Sequence, residues 1–422
     1  MSGAPDLRKI VQRHMCMGCG ACAAARPDVV KMIDTEGHGR RPQIKQGTDP
    51  KITQSLAKIC PGNEIAFPPS DNYDEAAWGP VLEVWEGHAT DSTIRFSGSS
   101  GGVVSALALY CVESETAAGA VQVRARKDQP LLNETVISKT RDDILQASAS
   151  RYSPASPCEK LTDVRRDGRK HVFVGKPCDV AGAARLMDED QDLRESIALT
   201  VSIFCAGTPS KAATRELIRA MDVSEEAHVN EVRYRGLGWP GRMTVRYQND
   251  DHDQVESASM SYADGWGKIL QKHTQWRCRL CADHLGEHAD LSIGDPWYRP
   301  IGEHEPGDSL IVVRTERGRR ILRAAVDAGY LDIEPRTLKT LAASQPNLER
   351  TKGAVFARCI TARLVGAAAP VYRGGAMHRV WWRALSPVEK VKSIVGTLKR
   401  VFRKRVLFPE ISHETVVGDS KP

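Results

Sequence analysis

Apolar residues beyond residue 80 fall into short runs that alternate between strand-like and helix-like spacing. The spacing predicts strands over 81–86, 120–125, 171–175 and 197–204, and helices over 103–113, 181–187 and 214–221. Strand, loop and helix recurring in this order predict α/β units with an at least partly parallel sheet. Two further runs, 232–236 and 243–247, alternate like antiparallel strands. The sequence therefore predicts a mixed α/β (α+β) fold.

The two ends of the chain have different patterns. Residues 1–70 are punctuated by cysteine and proline and contain few long periodic runs, which indicates a small loop-rich module followed by a linker at 67–74. From Lys390 onward, basic residues are interleaved with apolar ones, after the pair Trp381 and Trp382. This pattern predicts a basic amphipathic helix. It leaves three interpretations: contact with an anionic membrane surface, docking on a partner protein, or packing on its own domain.

Three cysteines near the start of the chain are each separated by two residues: Cys16, Cys19 and Cys22. Thiolates at this spacing wrap one 4Fe–4S cluster in a tight loop. A bacterial ferredoxin continues with a fourth cysteine before a proline, but Arg26 stands at that offset here, and Cys60 before Pro61 comes much later. Because the fourth cysteine of each ferredoxin motif ligates the other cluster, Cys60 is predicted to complete the first cluster and the second site is lost. A zinc knuckle with the same four thiolates is the alternative.

Four further cysteines form a second candidate ligand set: Cys178, Cys205, Cys278 and Cys281. The first two follow predicted strands and precede helices, which places them at the sheet edge where α/β proteins build their sites. A helix N-terminus also favours the thiolate form that a metal requires. The last two form a C-x2-C pair. Together the four provide the ligands of a second cluster, with a redox dithiol or a structural zinc site as alternatives.

A glycine- and serine-rich loop at 97–102 leads into the predicted helix 103–113. Backbone N–H groups at such a turn, with the helix dipole and the hydroxyl groups, form an anion site suited to a phosphate or pyrophosphate. Arg95 adds a cation, and segment 150–152 adds a second arginine and an aromatic ring. Clusters carry single electrons whereas organic reductions usually need pairs, so FMN or FAD is the predicted guest. A plain connection between two elements is the alternative.

Composition bears on the binding partners and the cellular compartment of the protein. The 422 residues include 59 basic and 53 acidic ones, a formal charge of +6 that gives no argument for nucleic acid binding. The N-terminal segment is polar and lacks the apolar core of a signal peptide, and no run reaches the roughly 18–20 apolar residues of a membrane span. We therefore expect a cytoplasmic protein. Peripheral contact of its basic helix with the inner membrane is compatible with that location. Eleven cysteines in that compartment are better explained as ligands or redox groups than as disulfides.

Taken together, these motifs resemble the beta subunits of coenzyme F420 hydrogenases and dehydrogenases. That family includes ferredoxin-dependent divinyl chlorophyllide vinyl reductases and hydroxymethyl chlorophyll a reductase. The resemblance runs from about residue 13 to 340. It rests on the N-terminal cysteine motif, Arg95 with 99–102, and segments 150–152, 175–178, 204–210, 278–283, 294–297 and 309–315.

The resemblance implies a flavoprotein that carries FAD and a second 4Fe–4S cluster on Cys178, Cys205, Cys278 and Cys281. The cofactor-binding residues we predict are Arg95, Ser97, Ser99, Ser100, Gly101, Gly102, Ser150, Arg151, Tyr152 and Lys176. Arg26 departs from relatives with a fuller ferredoxin run. Loops 234–241 and 262–267 are predicted to form the substrate mouth, and no residue is singled out as the proton donor.

The predicted division of the chain has four segments. They are a ferredoxin-like iron–sulfur module (1–70), a flavin-binding part (80–165), a part with the second cluster (166–345) and a helical basic extension (346–422). The predicted function is an oxidoreductase that passes electrons from reduced ferredoxin or a deazaflavin coenzyme, through clusters and FAD, to a small organic substrate. The alternatives are an electron-transfer subunit of a larger complex and a zinc-stabilised binding protein.

Overall fold

Strands and helices alternate through the middle of the chain. The computed structural model describes residues 5–249, 254–300, 302, 305–411 and 417–418, so parts of the predicted first and last segments lie outside the described residues. The strands are β1 (Val30–Thr35), β2 (Gly39–Lys45), β3 (Glu64–Ala66), β4 (Glu83–Ala89), β5 (Ala120–Ala125), β6 (Asn133–Ser138), β7 (His171–Gly175), β8 (Ile197–Ile203), β9 (His228–Arg233), β10 (Arg242–Gln248), β11 (Glu256–Ser261), β12 (Leu291–Gly294), β13 (Ser309–Val313), β14 (Leu331–Arg336), β15 (Val371–Arg373) and β16 (Val417–Gly418).

The helices are α1 (Leu7–Gln12), α2 (Ala21–Ala25), α3 (Pro50–Ile59), α4 (Tyr73–Trp78), α5 (Ser92–Ser97), α6 (Val103–Glu113), α7 (Arg141–Gln146), α8 (Leu161–Asp167), α9 (Pro177–Glu189), α10 (Gln191–Glu195), α11 (Lys211–Arg219), α12 (Trp276–Arg279), α13 (Glu316–Asp327), α14 (Leu338–Ser344), α15 (Leu348–Leu364), α16 (Met377–Ala384) and α17 (Pro387–Arg403). Short 3-10 segments cover Pro157–Lys160 and Leu270–His273, and a π-helical turn covers Ala263–Ile269.

A mixed sheet of eight strands lies at the centre, in the order β14-β4-β13-β12-β8-β7-β5-β6. Strands β12, β8, β7 and β5 run parallel, and the outer neighbours pair antiparallel. The mixed α/β fold is confirmed. Strands β9 and β10 pair antiparallel as predicted, but in a separate sheet with β11. Because β7, β8 and β12 are parallel neighbours, the residues that follow them meet at one edge of the central sheet.

Each face of the central sheet is covered by a different set of helices. On one face, α6 and α13 bury Leu107 and Leu322 against Val172 and Leu199 of the strands. On the other face, α9 packs between the sheet and the N-terminal module, and Val180 belongs to the same apolar cluster as Phe173, Leu7 and Val11. The module is therefore part of the main core through α9.

The final part of the chain returns to the N-terminal module. Strand β15 pairs parallel with β3, and β16 pairs parallel with β2. Helix α15 packs against both α16 and α17. Within the described part of the chain, no helix is both long and apolar enough to cross a membrane.

Candidate functional site

The first cysteine set lies in a tight loop beside α9. Gly18 and Gly20 both adopt positive φ, 74° and 89°, and Gly20 caps α2, so the backbone turns sharply around Cys19. A Cβ on Gly18 would lie only 2.4 Å from the carbonyl oxygen of Arg40, so glycine is also required for space. The fourth cysteine, Cys60, ends α3 and comes back to the same place.

The four thiols of the first set act on one another. Burial raises the pKa of Cys22, and the sulfurs of the other three cysteines raise that pKa further. Burial likewise raises the pKa of Cys16 to about 11 and that of Cys60 to about 12. The structure therefore brings together all four predicted ligands around one buried point.

The second cysteine set assembles at the carboxyl edge of the central sheet. Cys178 lies in the first turn of α9 after β7, Cys205 follows β8, and Cys278 and Cys281 come from α12 and the residues after it. Burial raises the pKa of Cys178, and Cys205 and Cys278 raise it further. Burial raises the pKa of Cys205 to about 12, and the other two cysteines of the edge, Cys278 and Cys281, also raise it. The four residues predicted from three separate parts of the sequence therefore meet.

Backbone N–H groups and cations lie near both sets. The Gly18 N–H donates to the Cys16 sulfur and the Thr208 N–H to the Cys278 sulfur, each over 3.3 Å. Lys176 lies beside Cys178 and Cys205, and Arg277 beside Cys281, Cys178 and Cys278. Among the described residues, no three or more histidine, cysteine, aspartate or glutamate side chains are spaced to hold a single metal ion. Four buried thiols with N–H donors and cations nearby are nevertheless groups of the kind that hold a 4Fe–4S cluster.

Two side chains connect the cysteine sets. The Met17 sulfur lies 3.9 Å from the Cys278 sulfur, so a residue of the first loop contacts the second set. Arg41 is fully buried and acts electrostatically on both Cys16 and Cys278. Its guanidinium donates to the Glu410 carboxylate at 2.6 and 3.1 Å and to Gln275 at 2.7 Å. The two sets are consequently neighbours that share a cation.

A cavity of about 290 Å³ lies next to the second set and is lined by Cys205. Its lining includes the glycine–serine loop, Lys176, the 147–153 turn and several aromatic rings. The turn is joined to the loop, because the Ser150 N–H donates to the Ser99 hydroxyl oxygen at 2.6 Å. Of the predicted cofactor-binding residues, those that line the cavity are Ser99, Ser100, Gly102, Ser150, Arg151, Tyr152 and Lys176. The glycine–serine loop and the second cysteine set thus share one space.

Three predicted cofactor-binding residues lie behind the cavity wall instead of on it. The Arg95 guanidinium donates to the Gly307 carbonyl and the Asp308 carboxylate. Ser97 ends α5, and Gly101 turns at φ 55° against the backbone of Asp308. These contacts hold the loop in position.

Arg151 brings a positive charge to the cavity that no described carboxylate contacts. Its guanidinium donates to the carbonyls of Pro130 and Val232 and to the side-chain oxygen of Asn133, at 2.5–2.9 Å. Burial lowers its pKa from the usual range of arginine. A buried guanidinium whose protein partners are neutral fits a cavity that receives an anion such as a phosphate.

Arg235, which sequence reasoning placed only within a loop, organises the aromatic wall. It donates to both oxygens of Asp295 at 2.7 and 2.9 Å and to the Ser99 carbonyl at 2.5 Å. The guanidinium also lies 5.0 Å from the Tyr262 ring and 5.7 Å from that of Trp297. Burial lowers the pKa of Arg235, but Asp295 and the neighbouring tyrosines raise it further than burial lowers it. The sequence offered one indication of this contact: Arg235 and Asp295 each lie in a loop rich in aromatic residues, 234–241 and 294–297.

Comparison with known proteins identifies the family. The model for the N-terminal part of the coenzyme F420 hydrogenase/dehydrogenase beta subunit matches residues 84–162, and the model for the C terminus of the same subunit matches residues 168–339. The two matches span more than half of the chain. This chain belongs to that family. The matched ranges contain the cavity-lining predicted residues and the second cysteine set, whereas the first cysteine set lies before them.

Curated relatives and a solved structure agree with the family. The chain is 26% identical to the beta subunit of coenzyme F420 hydrogenase from Methanococcus voltae over 58% of this chain and 81% of the relative. It is 25% identical to the corresponding subunit from Methanosarcina barkeri (strain Fusaro / DSM 804), over 61% and 83%. A chain of the F420-reducing [NiFe] hydrogenase complex from Methanosarcina barkeri shares the fold, with a TM-score of 0.53 and 21% identity, over 69% of this chain and 96% of that one. The chain is an oxidoreductase, as predicted.

Proposed function

We propose that the chain is an iron–sulfur flavoprotein that takes electrons from reduced ferredoxin or a reduced deazaflavin coenzyme and delivers them to a small organic acceptor. One observation carries this proposal: Cys205 of the second cysteine set and Ser99 of the glycine–serine loop line the same cavity. A thiolate cluster and a phosphate-bearing cofactor in this arrangement would be neighbours. The chain belongs to a family named after coenzyme F420, which supports a reduced deazaflavin as the electron donor.

The chain has a set of residues to hold each of the proposed clusters and the flavin. The cysteines of the first and second sets would each hold a 4Fe–4S cluster, and the glycine–serine loop with Ser150 and Arg151 would hold the phosphates of FAD. Bound clusters supply single electrons and a bound flavin supplies the exchange between single electrons and a hydride. Of the chain's own residues, Tyr152, Tyr262 and Trp297 would pack around the cofactor, and Arg151 would offset its negative charge. Lys176 also lines the cavity, but its ammonium is paired with the Asp179 carboxylate at 2.6 Å.

The organisation and setting of the chain are part of the proposal. We assign residues 1–70 to the iron–sulfur module, 80–165 and 166–345 to the two parts around the cavity, and 346–422 to the basic extension. None of the eleven cysteines, all of which lie within the described residues, forms a disulfide. Eight cluster ligands and three unpaired thiols would fit the reducing cytoplasm, where we place the protein.

The test is anaerobic purification followed by metal analysis, a visible spectrum and identification of released flavin. We expect the iron content of two 4Fe–4S clusters per chain, no stoichiometric zinc, and released FAD. Reduced ferredoxin and reduced coenzyme F420 are then each mixed with the protein, and bleaching of the flavin band is followed. Colourless protein that contains zinc alone would contradict the proposal and favour a zinc-stabilised binding protein.

A matched pair of variants tests the cofactor loop. Arg151→Met removes the cavity cation and should lower FAD occupancy, because a buried charge-assisted contact to phosphate is lost. Arg126→Met removes an arginine that pairs with Asp128 at the surface and should leave occupancy unchanged. Equal flavin content in the two variants would place the phosphates elsewhere.

A second candidate is an electron-transfer subunit of a larger complex, which the names of the matched hydrogenase subunits favour. The two candidates differ in whether the isolated chain suffices. A free-standing reductase oxidises its donor with an organic acceptor in the absence of other subunits. A dedicated subunit accepts electrons from the donor but passes them on only when its partner is added.

A further inference from the structure

Helix α17 packs on the protein with its polar side and presents an apolar side to solvent. The side chains it buries are those of Ser393, Thr397 and Val401. Val388, Val391 and Phe402 are 62%, 60% and 64% exposed. An amphipathic helix of a water-soluble domain ordinarily does the reverse, because burial of its apolar side stabilises the fold.

The exposed apolar residues form one stripe along the helix. Val388, Val391, Val395 and Phe402 are separated by three, four and seven residues, a spacing that keeps them on one side of a helix with 3.6 residues per turn. The described contacts leave this stripe facing outward over the length of α17. Contiguous exposed apolar surface on a folded chain indicates a surface that something else covers.

A row of cations borders the apolar stripe. Lys392, Lys399 and Arg403 are exposed and, by their spacing of seven and four residues, lie side by side next to the stripe. The acidic residue of α17, Glu389, is held at the N-terminus by its capping contacts with Ser386. The exposed side of α17 is therefore apolar and positively charged, with no acidic residue beyond its first turn.

An amphipathic aromatic cluster stands at the N-terminal end of this surface. Trp382 is 72% exposed, and the Lys390 ammonium lies 4.4 Å from its ring and 5.2 Å from that of Trp381. Lys390 also donates to the Trp382 carbonyl at 2.9 Å, so the cluster is fixed to α17. Tryptophan and lysine together are characteristic of the level at which a membrane meets water.

We propose that this outward side of α17 lies on an anionic membrane surface, with the apolar stripe inserted among the lipid headgroups. An apolar stripe with adjoining lysines and arginines is the pattern of helices that lie in the interface plane. Anionic headgroups complement the cationic row over its whole length. The stripe runs along the outward, convex side of a helix, a shape that a flat and adaptable lipid surface can cover along its whole length.

The test is co-sedimentation of the full-length protein with vesicles, which needs neither cofactor nor turnover. Phosphatidylcholine vesicles with phosphatidylglycerol should sediment the protein, and phosphatidylcholine alone should not. Added salt should release the protein, since the attraction is screened. A protein that stays in the supernatant with anionic vesicles at low salt overturns the proposal.

Paired variants locate the contact on α17. Lys392→Glu with Lys399→Glu should weaken vesicle binding by at least roughly twenty-fivefold, since each charge near the surface contributes about fivefold. Lys127→Glu with Arg320→Glu makes the same charge change at exposed positions on other elements and should lower binding much less. Equal losses in the two pairs would mean that net charge alone is responsible, and they overturn the assignment.

Phe402→Ser separates lipid from protein partners. Loss of one inserted aromatic side chain should weaken vesicle binding by about tenfold or more without changing thermal unfolding, because Phe402 is exposed. Light scattering is measured on the same samples. A dimer in the parent protein that Phe402→Ser converts to monomer, without vesicle binding, shows instead that the surface joins two copies of the chain and overturns the proposal.

Discussion

The two cysteine sets differ in how the chain brings them together. In the first set, three ligands lie within seven residues in one loop, and the backbone of Gly18 and Gly20 shapes that loop. The second set is collected from two strand ends and the α12 segment, and no local turn could assemble it. The three cysteines of the first loop are buried, whereas Cys205 of the second set lines the cavity.

This difference assigns separate roles to the two sets. A local loop can be carried as a unit by many proteins, and the family match begins only after it, at residue 84. A set built from sheet edges depends on the whole α/β fold and is tied to the cavity that the same edges form. We infer that the second set serves the cavity and that the first set extends the electron path towards a donor.

The largest expected effect comes from removing one ligand of each set. Cys205→Ser and Cys22→Ser should each lower iron content by about half and reduce flavin bleaching by ferredoxin at least about a hundredfold, because either change interrupts the path. Only Cys205→Ser should also shift the flavin absorption band, since only that residue lines the cavity. Cys111→Ala, in the apolar core on α6, is the control. A flavin band altered equally by Cys22→Ser would abolish the distinction between the sets.

The next largest effect concerns the wall that only the second set shares. Arg235→Met leaves the Asp295 carboxylate without its cation and with the Trp239 N–H as its remaining described side-chain donor, which should cost about 3–5 kcal/mol of stability and displace the aromatic wall. FAD occupancy should fall while the iron of both sets is retained, as measured by flavin release and iron analysis. Arg246→Met, from strand β10, is a matched control, because Arg246 is exposed and pairs with Glu231 away from the cavity lining. Iron lost in parallel with flavin would show that the cavity and the clusters fold as one unit.

A smaller effect tests the local character of the first set. In Gly18→Ala the new Cβ meets the Arg40 carbonyl oxygen at 2.4 Å and requires a positive φ, so the loop must shift. Gly37→Ala requires a similar φ of 80° but meets nothing within 4 Å, and should cost only about 1–2 kcal/mol. Gly18→Ala should unfold at lower temperature than Gly37→Ala and lose the iron of the first set alone. Retention of all its iron would show that the loop is not what shapes the set.

The smallest effect joins the two sets through Arg41. Arg41→Gln removes the cation and leaves the buried Glu410 carboxylate with its negative charge unbalanced. The reduction potentials of both clusters should fall, because nearby negative charge disfavours the reduced state. Glu410→Gln leaves the cation and should raise them. The shifts, followed by EPR during redox titration, should reach tens of millivolts, and the double variant should lie between the singles. Shifts confined to one cluster would show that the sets do not share this cation.

Sequence reasoning succeeded where neighbours in the chain decide the structure. Helix α6 and strands β5 and β7 have the predicted bounds because their apolar periodicity is local. The cysteine sets were predicted from spacing and from strand ends, and the structure brings both together. Their metal content remains a prediction.

Distant contacts account for what the sequence did not reveal. The predicted linker at 67–74 is packed: Phe67 is buried and its N–H donates to the Arg373 carbonyl, a partner some three hundred residues away. Arg95 likewise contacts residues far away in the sequence: its guanidinium donates to Gly307 and Asp308 and does not line the cavity. Arg235 gave no motif of its own, since its function depends on Asp295 from another loop. Periodicity carries no information about such pairings.

The pairing of Arg41 with Glu410 has a consequence for biosynthesis. The two residues are 369 positions apart, so the ribosome completes the four cysteines of the first set long before it adds Glu410. Until then Arg41 has no carboxylate to fix its guanidinium, and α9, against which the loop packs, is also missing at first. Iron delivered to the nascent chain would therefore reach an unfinished site. Maturation of the first set is expected to follow translation, with the late carboxylate acting as the closing step of assembly.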